Sequence, residues 1–359
     1  MKVITLGTYL GNYNTYISQI QLLIGLKNSG ADLTVVGYFS EEIKEVFEQA
    51  KVKLIEDHPS KDIDFSYISR IRKMVRSSGF DILHLFSGKT VKNGIFSTIG
   101  LPIKVVAYYG SLSLHWHDPT AYLKYLNPKI NYITCNSRSV YLHVKKQLLN
   151  KSKAVHIYKG VDPKWFDEIV SFDYSTLGVP DDAVVVCMVA NNRKVKDIPT
   201  FIKATYYFEA SEKVYFVLIG SDTDTKEIHQ LKEKSSAGDN IRLMGYRSDA
   251  SSFIKATDIY VQTSLSEGLG RTTTEAMCFE KPIVMTDADG CTELVRGSNA
   301  GIIVPKQQPK VLAAEIKKLV KSKQLRLEMG KEARARIQSN FHINQNIEGV
   351  FDIYKKLIS

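Results

Sequence analysis

The sequence predicts an α/β protein built from two doubly wound parallel sheets that face each other across a cleft. Three observations support this class. The 359 residues exceed what one hydrophobic core usually holds, so two domains are expected. Short apolar runs alternate with amphipathic segments along the chain, as in βαβ units. This alternation restarts after a turn-rich stretch near residues 160–180. Ligands of such sheets bind beyond the carboxyl ends of the strands.

The first domain is predicted to be Rossmann-like and to span residues 1–167. Its strands are the apolar runs KVITLG, DLTVVGYF, DILHLF, KVVAYY, YITCNS and AVHIY. Its helices are predicted near residues 15–28, 41–49, 90–98 and 137–149. Each helix separates two strands, which is the arrangement that connects neighbouring strands of a parallel sheet.

A second Rossmann-like domain is predicted over residues 168–340. Its strands are the runs VVVCMVA, VYFVLIG, IRLMGY, DIYVQT, PIVMTD and GIIVP. Residues 341–359 form a predicted amphipathic helix. Its apolar face carries Ile347, Val350, Phe351 and Tyr354. Because such a face needs a packing partner, the helix is expected to return to the first domain.

Composition is that of an ordinary globular protein, with 44% hydrophobic and 24% charged residues. The longest apolar run, AVVVCMVA, is far shorter than the roughly 20 residues of a membrane-spanning helix. The N-terminus turns polar too early for a secretory signal, so a cytoplasmic location is expected. The four cysteines form no CxxC pair and are expected to be reduced.

The net charge of +10 is concentrated in the front half, where residues 1–170 hold 22 Lys+Arg and 14 Asp+Glu. No acidic residue occurs from Pro119 to Val161. This asymmetry predicts an anionic partner, and we expect the front domain to lie on an anionic membrane surface. A merely solvated basic face is the alternative. A nucleic-acid partner is not expected, since no recognised motif or aromatic platform accompanies the charge.

Two loops at predicted strand ends are suited to a diphosphate and its sugar. Arg193, Lys194 and Lys196 follow the strand that ends at Ala190, and cations there suit a diphosphate. The helix opening near residues 270–274 offers amides to a second phosphate. Glu267 and Glu275 flank that opening and suit hydroxyl groups, because an ionised Glu only accepts hydrogen bonds.

Other polar clusters are weaker candidates for chemistry. The pairs Asp62/Asp64, Asp222/Asp224 and Asp287/Asp289 have metal-like spacing, but a turn or capping role is expected and no metal is predicted. His115, His117 and Asp118 follow the strand KVVAYY. Without an evident further ligand for a metal, the two histidines are predicted to hydrogen-bond a sugar or a phosphate.

The C-terminal half resembles the retaining family 4 glycosyltransferases of the GT-B fold over residues 183–305. The resemblance rests on VANNRKVKDIPTFIKA, VYFVLIGSD and the long segment from IRLMGYRSD to GCTELV, whose Glu267 and Glu275 match the E-x7-E pair of that family. The first half matches more faintly, through LKNSGADLTVV, DILHLF, YITCNS and IYKGVD. The resemblance implies transfer of a sugar from a nucleotide diphosphate donor to an acceptor with retained anomeric configuration.

Residue roles follow from the resemblance. Glu275 is expected to accept from ribose hydroxyls and Glu267 from those of the donor sugar. Arg193 and Lys196 are expected to neutralise the leaving diphosphate, and no protein nucleophile is implied. The diphosphate is expected to be cradled by the amides of Gly268, Leu269, Gly270, Arg271 and Thr272. The remaining donor-side residues are Asn191, Gly220, Tyr246 and Arg247.

Three departures from the family pattern affect the acceptor side and the catalytic cations. The sequence ANN stands where the family has an Arg after the strand, so Arg193 is an offset substitute. Tyr109 replaces a family histidine, and His115 or His117 is expected to take over its contact. Gly11 and Asn12 lie in GTYLGNYN, where relatives have a Gly-Gly pair, and mark the acceptor-side loop.

The acceptor is expected to be a glycan or a lipid-linked sugar of polysaccharide or glycoconjugate biosynthesis. The nucleotide sugar is then a co-substrate, and no separate cofactor is predicted. A nucleotide-sugar epimerase of the same fold and a non-catalytic partner of another transferase remain open. The epimerase would need general acid and base groups, whereas release of nucleoside diphosphate would argue against a non-catalytic partner.

Overall fold

The computed structural model describes all residues from 1 to 359 and divides the chain into two compact units. Residues 1–160 and 341–359 form the first unit, and residues 161–340 form the second. Each unit contains one sheet, of seven strands in the first and six in the second. Every strand pairing in both sheets is parallel, which confirms the predicted α/β class.

The first sheet has the strand order β3-β2-β1-β4-β5-β6-β7. Its strands are β1 Lys2–Leu6, β2 Asp32–Gly37, β3 Lys53–Glu56, β4 Ile82–Leu85, β5 Lys104–Tyr109, β6 Tyr132–Cys135 and β7 Ala154–His156. The helices between them are α1 Tyr13–Asn28, α2 Glu41–Gln49, α3 Phe65–Ser78, α4 Gly88–Thr98 and α5 Arg138–Gln147. Apolar side chains of α3, α4 and α5 join those of the central strands in one buried cluster. The sequence analysis missed β3 and α3, because KLIE is short and only half-buried, and α3 is rich in Arg and Ser.

The second sheet has the strand order β10-β9-β8-β11-β12-β13. Its strands are β8 Val184–Val189, β9 Val214–Ile219, β10 Ile241–Leu243, β11 Ile259–Gln262, β12 Ile283–Thr286 and β13 Gly301–Val304. The helices are α6 Ile198–Ala204, α7 Lys226–Glu233, α8 Ala250–Ala256, α9 Arg271–Cys278, α10 Pro309–Lys321 and α11 Lys323–Asn340. Because β8 pairs with both β9 and β11, the loops after these three strands emerge side by side at one edge.

The last helix, α12 Ile343–Ile358, belongs to the first unit, where it packs on α1. A Cβ on Gly25 would lie 2.2 Å from the side chain of Ile347, so the two helices approach closely. The hydroxyl of Tyr354 lies 2.6 Å from Nδ1 of the buried His84. Phe351 was predicted on the buried face but is only half-buried, and Ile353 takes that position instead.

The boundary between the units lies earlier than the sequence analysis placed it. Residues 161–167 were assigned to the first domain, but the structure places them in the second unit. The reason is local packing: the ring of Phe166 lies 5.5 Å from that of Phe279, and the carbonyl of Asp167 accepts a hydrogen bond from Lys255 at 3.0 Å. None of the helices has the length and apolar character needed to cross a bilayer.

Candidate functional site

Two loops at the carboxyl edge of the second sheet are hydrogen-bonded to each other. The hydroxyl of Thr263, just after β11, donates to the carbonyls of Lys196 and Asp197 at 3.0 and 2.9 Å. The amide of Leu265 donates to the carbonyl of Val195 at 2.8 Å. The loop after β8 is thereby fixed to the loop after β11. This brings together the cationic loop and the first glutamate, which are about 70 residues apart in the chain.

Lys196 and Glu267 form an ion pair at this junction. Their side chains are only 15% and 19% exposed, so the pair is partly shielded from water. The hydroxyl of Ser264 also approaches the same Glu267 oxygen, at 3.4 Å. The resemblance assigned the two groups to different parts of a donor, but here each holds the other. Arg193, by contrast, is exposed and its side chain makes no hydrogen bond or ion pair within the chain.

The N-terminus of α9 begins after a glycine with a left-handed backbone conformation. Gly270 precedes the helix with a φ of +90°, a conformation that side-chain-bearing residues rarely adopt. Being glycine, it offers no side-chain acceptor to the first turn of α9, and no side-chain hydrogen bond caps that turn. The N-terminus of a helix is a site that favours an anion. Gly268 and Leu269 are buried, and the amide of Gly290 donates to the carbonyl of Glu267 at 3.1 Å. Thr272 completes the turn, its hydroxyl lying 3.4 Å from the carbonyl of Val189.

Glu275 lies on the buried side of α9 and is 6% exposed. The hydroxyl of Ser251, on α8, donates to one of its oxygens. Burial raises the pKa of the Glu275 carboxyl, while the hydrogen bond from Ser251 and the charge of Arg271 oppose that shift. Its surroundings therefore supply a hydroxyl donor and a nearby cation to a carboxylate that is largely removed from water.

Gly220 allows the loops after β8 and β9 to approach closely. Its φ is +149°, and a Cβ there would lie only 2.1 Å from the carbonyl oxygen of Ala190. The side-chain oxygen of Asn191 accepts from the amide of Ser221 at 3.0 Å, which joins the same two loops. Asn191 and Gly220, both predicted on the donor side, thus set the backbone at this edge of the sheet.

Tyr246 and Arg247 follow β10, and their side chains differ in exposure and in contacts within the chain. Tyr246 is 68% exposed. Arg247 donates two hydrogen bonds to Asp249, at 2.8 and 2.7 Å, and lies over the ring of Phe253. Asp249 immediately precedes α8, the helix that carries Ser251. Within the chain, Arg247 therefore fixes the start of that helix.

The residues of the first unit that were predicted on the acceptor side, Gly11, Asn12 and Tyr109, occupy structural positions in that unit. The side chain of Asn12 caps α1 by accepting from the amide of Asn14 at 2.8 Å, after Gly11 with a φ of +113°. Tyr109 is buried at the end of β5, with its hydroxyl 3.1 Å from that of Ser113. A capping or core contact of this kind stabilises the unit whether or not a ligand is bound.

His115 and His117 are exposed on the loop after β5. Their rings stack with centroids 5.2 Å apart, and His143 lies 5.6 Å from His115. His143 is fixed by its Nε2 atom, 2.7 Å from the carbonyl of Leu114. No group of three or more His, Cys, Asp or Glu side chains in the chain is arranged to hold a metal. The absence of a metal from the reaction stays a prediction.

The aspartate pairs have structural contacts. Asp64 caps α3, accepting from the amide of Tyr67 at 3.0 Å, and Asp62 pairs with Lys92. Asp287 pairs with Arg296 at 2.8 Å. Asp222 has a φ of +58°, as turn residues often do.

We expect His115→Ala and His117→Ala each to lower kcat/KM about tenfold if the ring contacts a substrate, the size of one lost hydrogen bond. Because both rings are exposed, the Tm should change little. His143→Ala is the control, since it removes a hydrogen bond within the unit and should lower the Tm. Steady-state kinetics of all three variants measure the effect. If kcat/KM of His115→Ala and His117→Ala stays at the wild-type value, neither histidine contacts a substrate.

Sequence reasoning missed three residues that hold together the carboxyl edge of the second sheet. Ser251 donates to Glu275, Thr263 joins two loops, and the amide of Gly290 holds Glu267. All three lie in the segment from IRLMGYRSD to GCTELV that carries the family resemblance, but the resemblance gave none of them a role. Position gave a further signal for Thr263, which directly follows the strand DIYVQ.

The chain matches two family models that together cover most of both units. The model described as "Glycosyl transferases group 1" matches residues 173–336, and the one described as "Glycosyltransferase Family 4" matches residues 19–165. A curated relative in Escherichia coli, UDP-Gal:alpha-D-GlcNAc-diphosphoundecaprenol alpha-1,3-galactosyltransferase, is 23% identical over 317 residues, covering 82% of this chain and 80% of its own.

Solved structures share the fold over almost the whole chain. A glycosyltransferase from Rickettsia africae superposes with a TM-score of 0.82 at 17% identity, covering 100% of this chain and 98% of its own. The Anabaena protein HepE, in complex with UDP and glucose, gives a TM-score of 0.82 at 18% identity, covering 99% of this chain and 100% of its own. The chain therefore belongs to the family 4 glycosyltransferases of the GT-B fold.

Proposed function

We propose that this enzyme transfers a sugar from a nucleotide diphosphate sugar to a lipid-linked or growing glycan, with retention of the anomeric configuration. The observation that carries the proposal is the arrangement at the donor-side edge of the second sheet. There, the Lys196–Glu267 pair joins two of the loops that end at this edge, and the second loop leads into the uncapped N-terminus of α9. Cations and amides suit the diphosphate, and carboxylates suit the hydroxyls.

The proposed chemistry depends on stabilising the leaving group. Breaking the bond between the sugar and the phosphate places negative charge on the diphosphate. Lys196, Arg193 and the first-turn amides of α9 would bind that charge. When Lys196 turns to the phosphate, Glu267 is free to accept from a hydroxyl of the donor sugar. No protein nucleophile is invoked: the acceptor attacks from the face of the leaving group, and the departing phosphate takes the acceptor proton.

A uridine diphosphate sugar is the first donor to test. The support is that the Escherichia coli relative, 23% identical, carries UDP-Gal in its name. Its name also specifies an acceptor linked to diphosphoundecaprenol, which supports a lipid-linked acceptor here. We further propose that the enzyme works in the cytoplasm, at the membrane surface, where such an acceptor would be found.

The experiment combines donor binding with product analysis. Thermal shift with UDP, GDP, ADP and their sugars identifies the nucleotide, since a ligand of the folded state raises its stability. The donor so identified is then incubated with an N-acetylglucosamine-diphospholipid acceptor, and release of nucleoside diphosphate is followed. NMR of the product gives the anomeric configuration. Inversion at the anomeric carbon would contradict retention, and a donor epimer without transfer would favour the epimerase.

Glu275→Gln is expected to raise KM for the donor about tenfold while kcat changes little. The carboxylate would contact ribose hydroxyls equally in the ground and transition states, and a charged acceptor binds more strongly than a neutral one. Titration calorimetry with the nucleoside diphosphate checks the binding. Glu233→Gln, at the exposed end of α7, is the control and should bind like the wild type.

The same variant is expected to change the pH dependence of stability. Burial raises the folded-state pKa of Glu275 above its ordinary value of 4.5. Wild type should therefore lose stability relative to Glu275→Gln as the pH rises through the ordinary and then the raised pKa. At a pH below 4.5, where the carboxyl of Glu275 is protonated in both the folded and the unfolded state, this charge should cause the smallest difference in stability between the wild type and Glu275→Gln. If Glu275→Gln binds the nucleotide as tightly as the wild type, the binding role of Glu275 is contradicted. If the stabilities of the two proteins change in parallel with pH, the burial of a charged Glu275 is contradicted.

A further inference from the structure

An open pocket of about 530 Å³ in the first unit lies outside the residues assigned to the donor. It is formed by the end of α5, the segment that follows α5, and the connection between β5 and β6. We call it the α5 pocket. Its apolar wall consists of Trp116, Tyr122, Leu126, Pro128, Leu148 and Leu149. Its polar rim includes Lys146 and Lys153.

The apolar groups at this pocket are unusually exposed. Leu149 is 100% exposed, Trp116 is 62% exposed and Tyr122 is 44% exposed. A single exposed apolar residue is common, but several around one concave surface indicate a binding site. Tryptophan and tyrosine combine an apolar ring with a polar atom, which suits the boundary between lipid chains and water.

Hydrogen bonds hold the wall of the pocket in place. The amide of Trp116 donates to the side chain of Gln147 at 3.0 Å, and the hydroxyl of Tyr122 donates to the carbonyl of Trp116 at 2.9 Å. On the opposite side, Lys153 donates to the carbonyls of Pro128 and Ile130 at 2.9 and 2.6 Å. The exposed groups are therefore presented from a fixed surface.

The charge around the pocket is positive. Lys146 lies on the rim, and Lys151 lies next to Asn150, a residue that lines the pocket; both lysines are exposed and belong to no ion pair within the chain. No acidic residue occurs between Pro119 and Val161. The carboxylate of the neighbouring Asp118 accepts a hydrogen bond from the amide of Thr120 at 2.8 Å. Such a rim attracts an anionic surface and would repel the same rim of a second copy of the chain.

We propose that the α5 pocket and its rim bind the surface of an anionic lipid bilayer. Leu149 and Trp116 enter the interface between headgroups and chains, while Lys146 and Lys151 lie among the anionic headgroups. This inference deepens the proposed function and rests on it, since it gives the enzyme access to a lipid-linked acceptor. It specifies which surface of the first unit faces the lipid.

The test compares sedimentation of the full chain with vesicles of phosphatidylcholine alone and with vesicles containing phosphatidylglycerol. Wild type should bind the anionic vesicles, less strongly as salt is added. Leu149→Glu should lower the vesicle partition coefficient about tenfold or more, because it replaces an inserted apolar group by an anion. Its matched control is Val170→Glu, at a 79% exposed apolar position of the second unit, which should bind like the wild type.

A second pair of variants tests the charge. Lys146→Glu/Lys151→Glu should lower binding to anionic vesicles several-fold and reduce its salt dependence, whereas Lys331→Glu on α11 should not. Because Leu149, Lys146 and Lys151 are exposed, the thermal shift with the nucleotide identified above should be unchanged in these variants.

Two readouts keep the inference and the proposed function apart. Sugar transfer to a detergent-dispersed acceptor without vesicle binding would overturn the inference and leave the function standing. Vesicle binding that depends on Leu149, without sugar transfer, would support the docking surface and overturn the function. Equal loss of binding in Leu149→Glu and Val170→Glu, or equal binding to neutral and anionic vesicles, would also overturn the inference.

Discussion

Replacing Lys196 by methionine is expected to lower kcat by about 10²–10³-fold, the usual effect of removing one group that stabilises developing charge. Methionine has an unbranched side chain one atom shorter than that of lysine, and it carries no charge. The substitution also leaves Glu267, 19% exposed, without its cation, so the Tm should fall as well. Turnover is measured as release of nucleoside diphosphate, and stability by differential scanning calorimetry.

The double variant Lys196→Met/Glu267→Gln separates the two effects. It removes the unpaired carboxylate, so the Tm should recover, but turnover should stay low. Lys317→Met is the matched control, because Lys317 pairs with Glu212 at 3.0 Å in the same unit and lies outside the donor-side edge. Recovery of turnover to near the wild-type value in the double variant would show that the pair is structural.

Gly220→Ala is expected to destabilise the second unit by about 3 kcal/mol or more. A Cβ at this position would lie 2.1 Å from the carbonyl oxygen of Ala190, with φ at +149°. Backbone strain and overpacking each cost roughly 1–3 kcal/mol, and here the obstacle is backbone that cannot rotate away. The loops after β8 and β9 must separate, so donor binding should weaken too. Chemical denaturation and nucleotide titration measure the two losses.

Gly297→Ala provides the comparison for Gly220. Gly297 has a φ of +75° but no atom within 4 Å of its built Cβ, so only backbone strain applies, at about 1–2 kcal/mol. Donor binding should be unchanged in this variant. If both substitutions cost the same, the close approach of Gly220 to Ala190 contributes nothing to the architecture of the site.

The two parallel sheets could be predicted from the sequence because each central strand is a continuous apolar run bounded by polar turns, as in buried parallel strands. The sequence was also sufficient to select the segment around Glu267 and Glu275, where a strand leads through glycines into a helix. Both signals are local. The short strand β3 and the basic helix α3 lack that pattern and were missed.

The contacts within the donor-side edge could not be predicted, since they depend on strand order. Glu275 and Ser251 are 24 residues apart, and Lys196 and Glu267 are 71 apart. Lys196 and Glu267 meet because β8 pairs directly with β11, and Ser251 and Glu275 meet because α8 packs against α9. No spacing in the sequence encodes that order, so the pairing of Lys196 with Glu267 was unforeseen although both residues were identified.

The Lys196–Glu267 pair has a consequence for how the enzyme distinguishes its substrate from its product. In the proposed function, a complete donor offers a phosphate to Lys196 and hydroxyls to Glu267, so each group would exchange its partner in the ion pair for a group of the donor. The free nucleoside diphosphate would bind Lys196 but has no sugar hydroxyl to donate to Glu267. It leaves a shielded carboxylate unpartnered, which is unfavourable. Under these proposed roles, the Lys196–Glu267 ion pair would re-form once the sugar has left, which would favour dissociation of the nucleoside diphosphate and weaken inhibition by product.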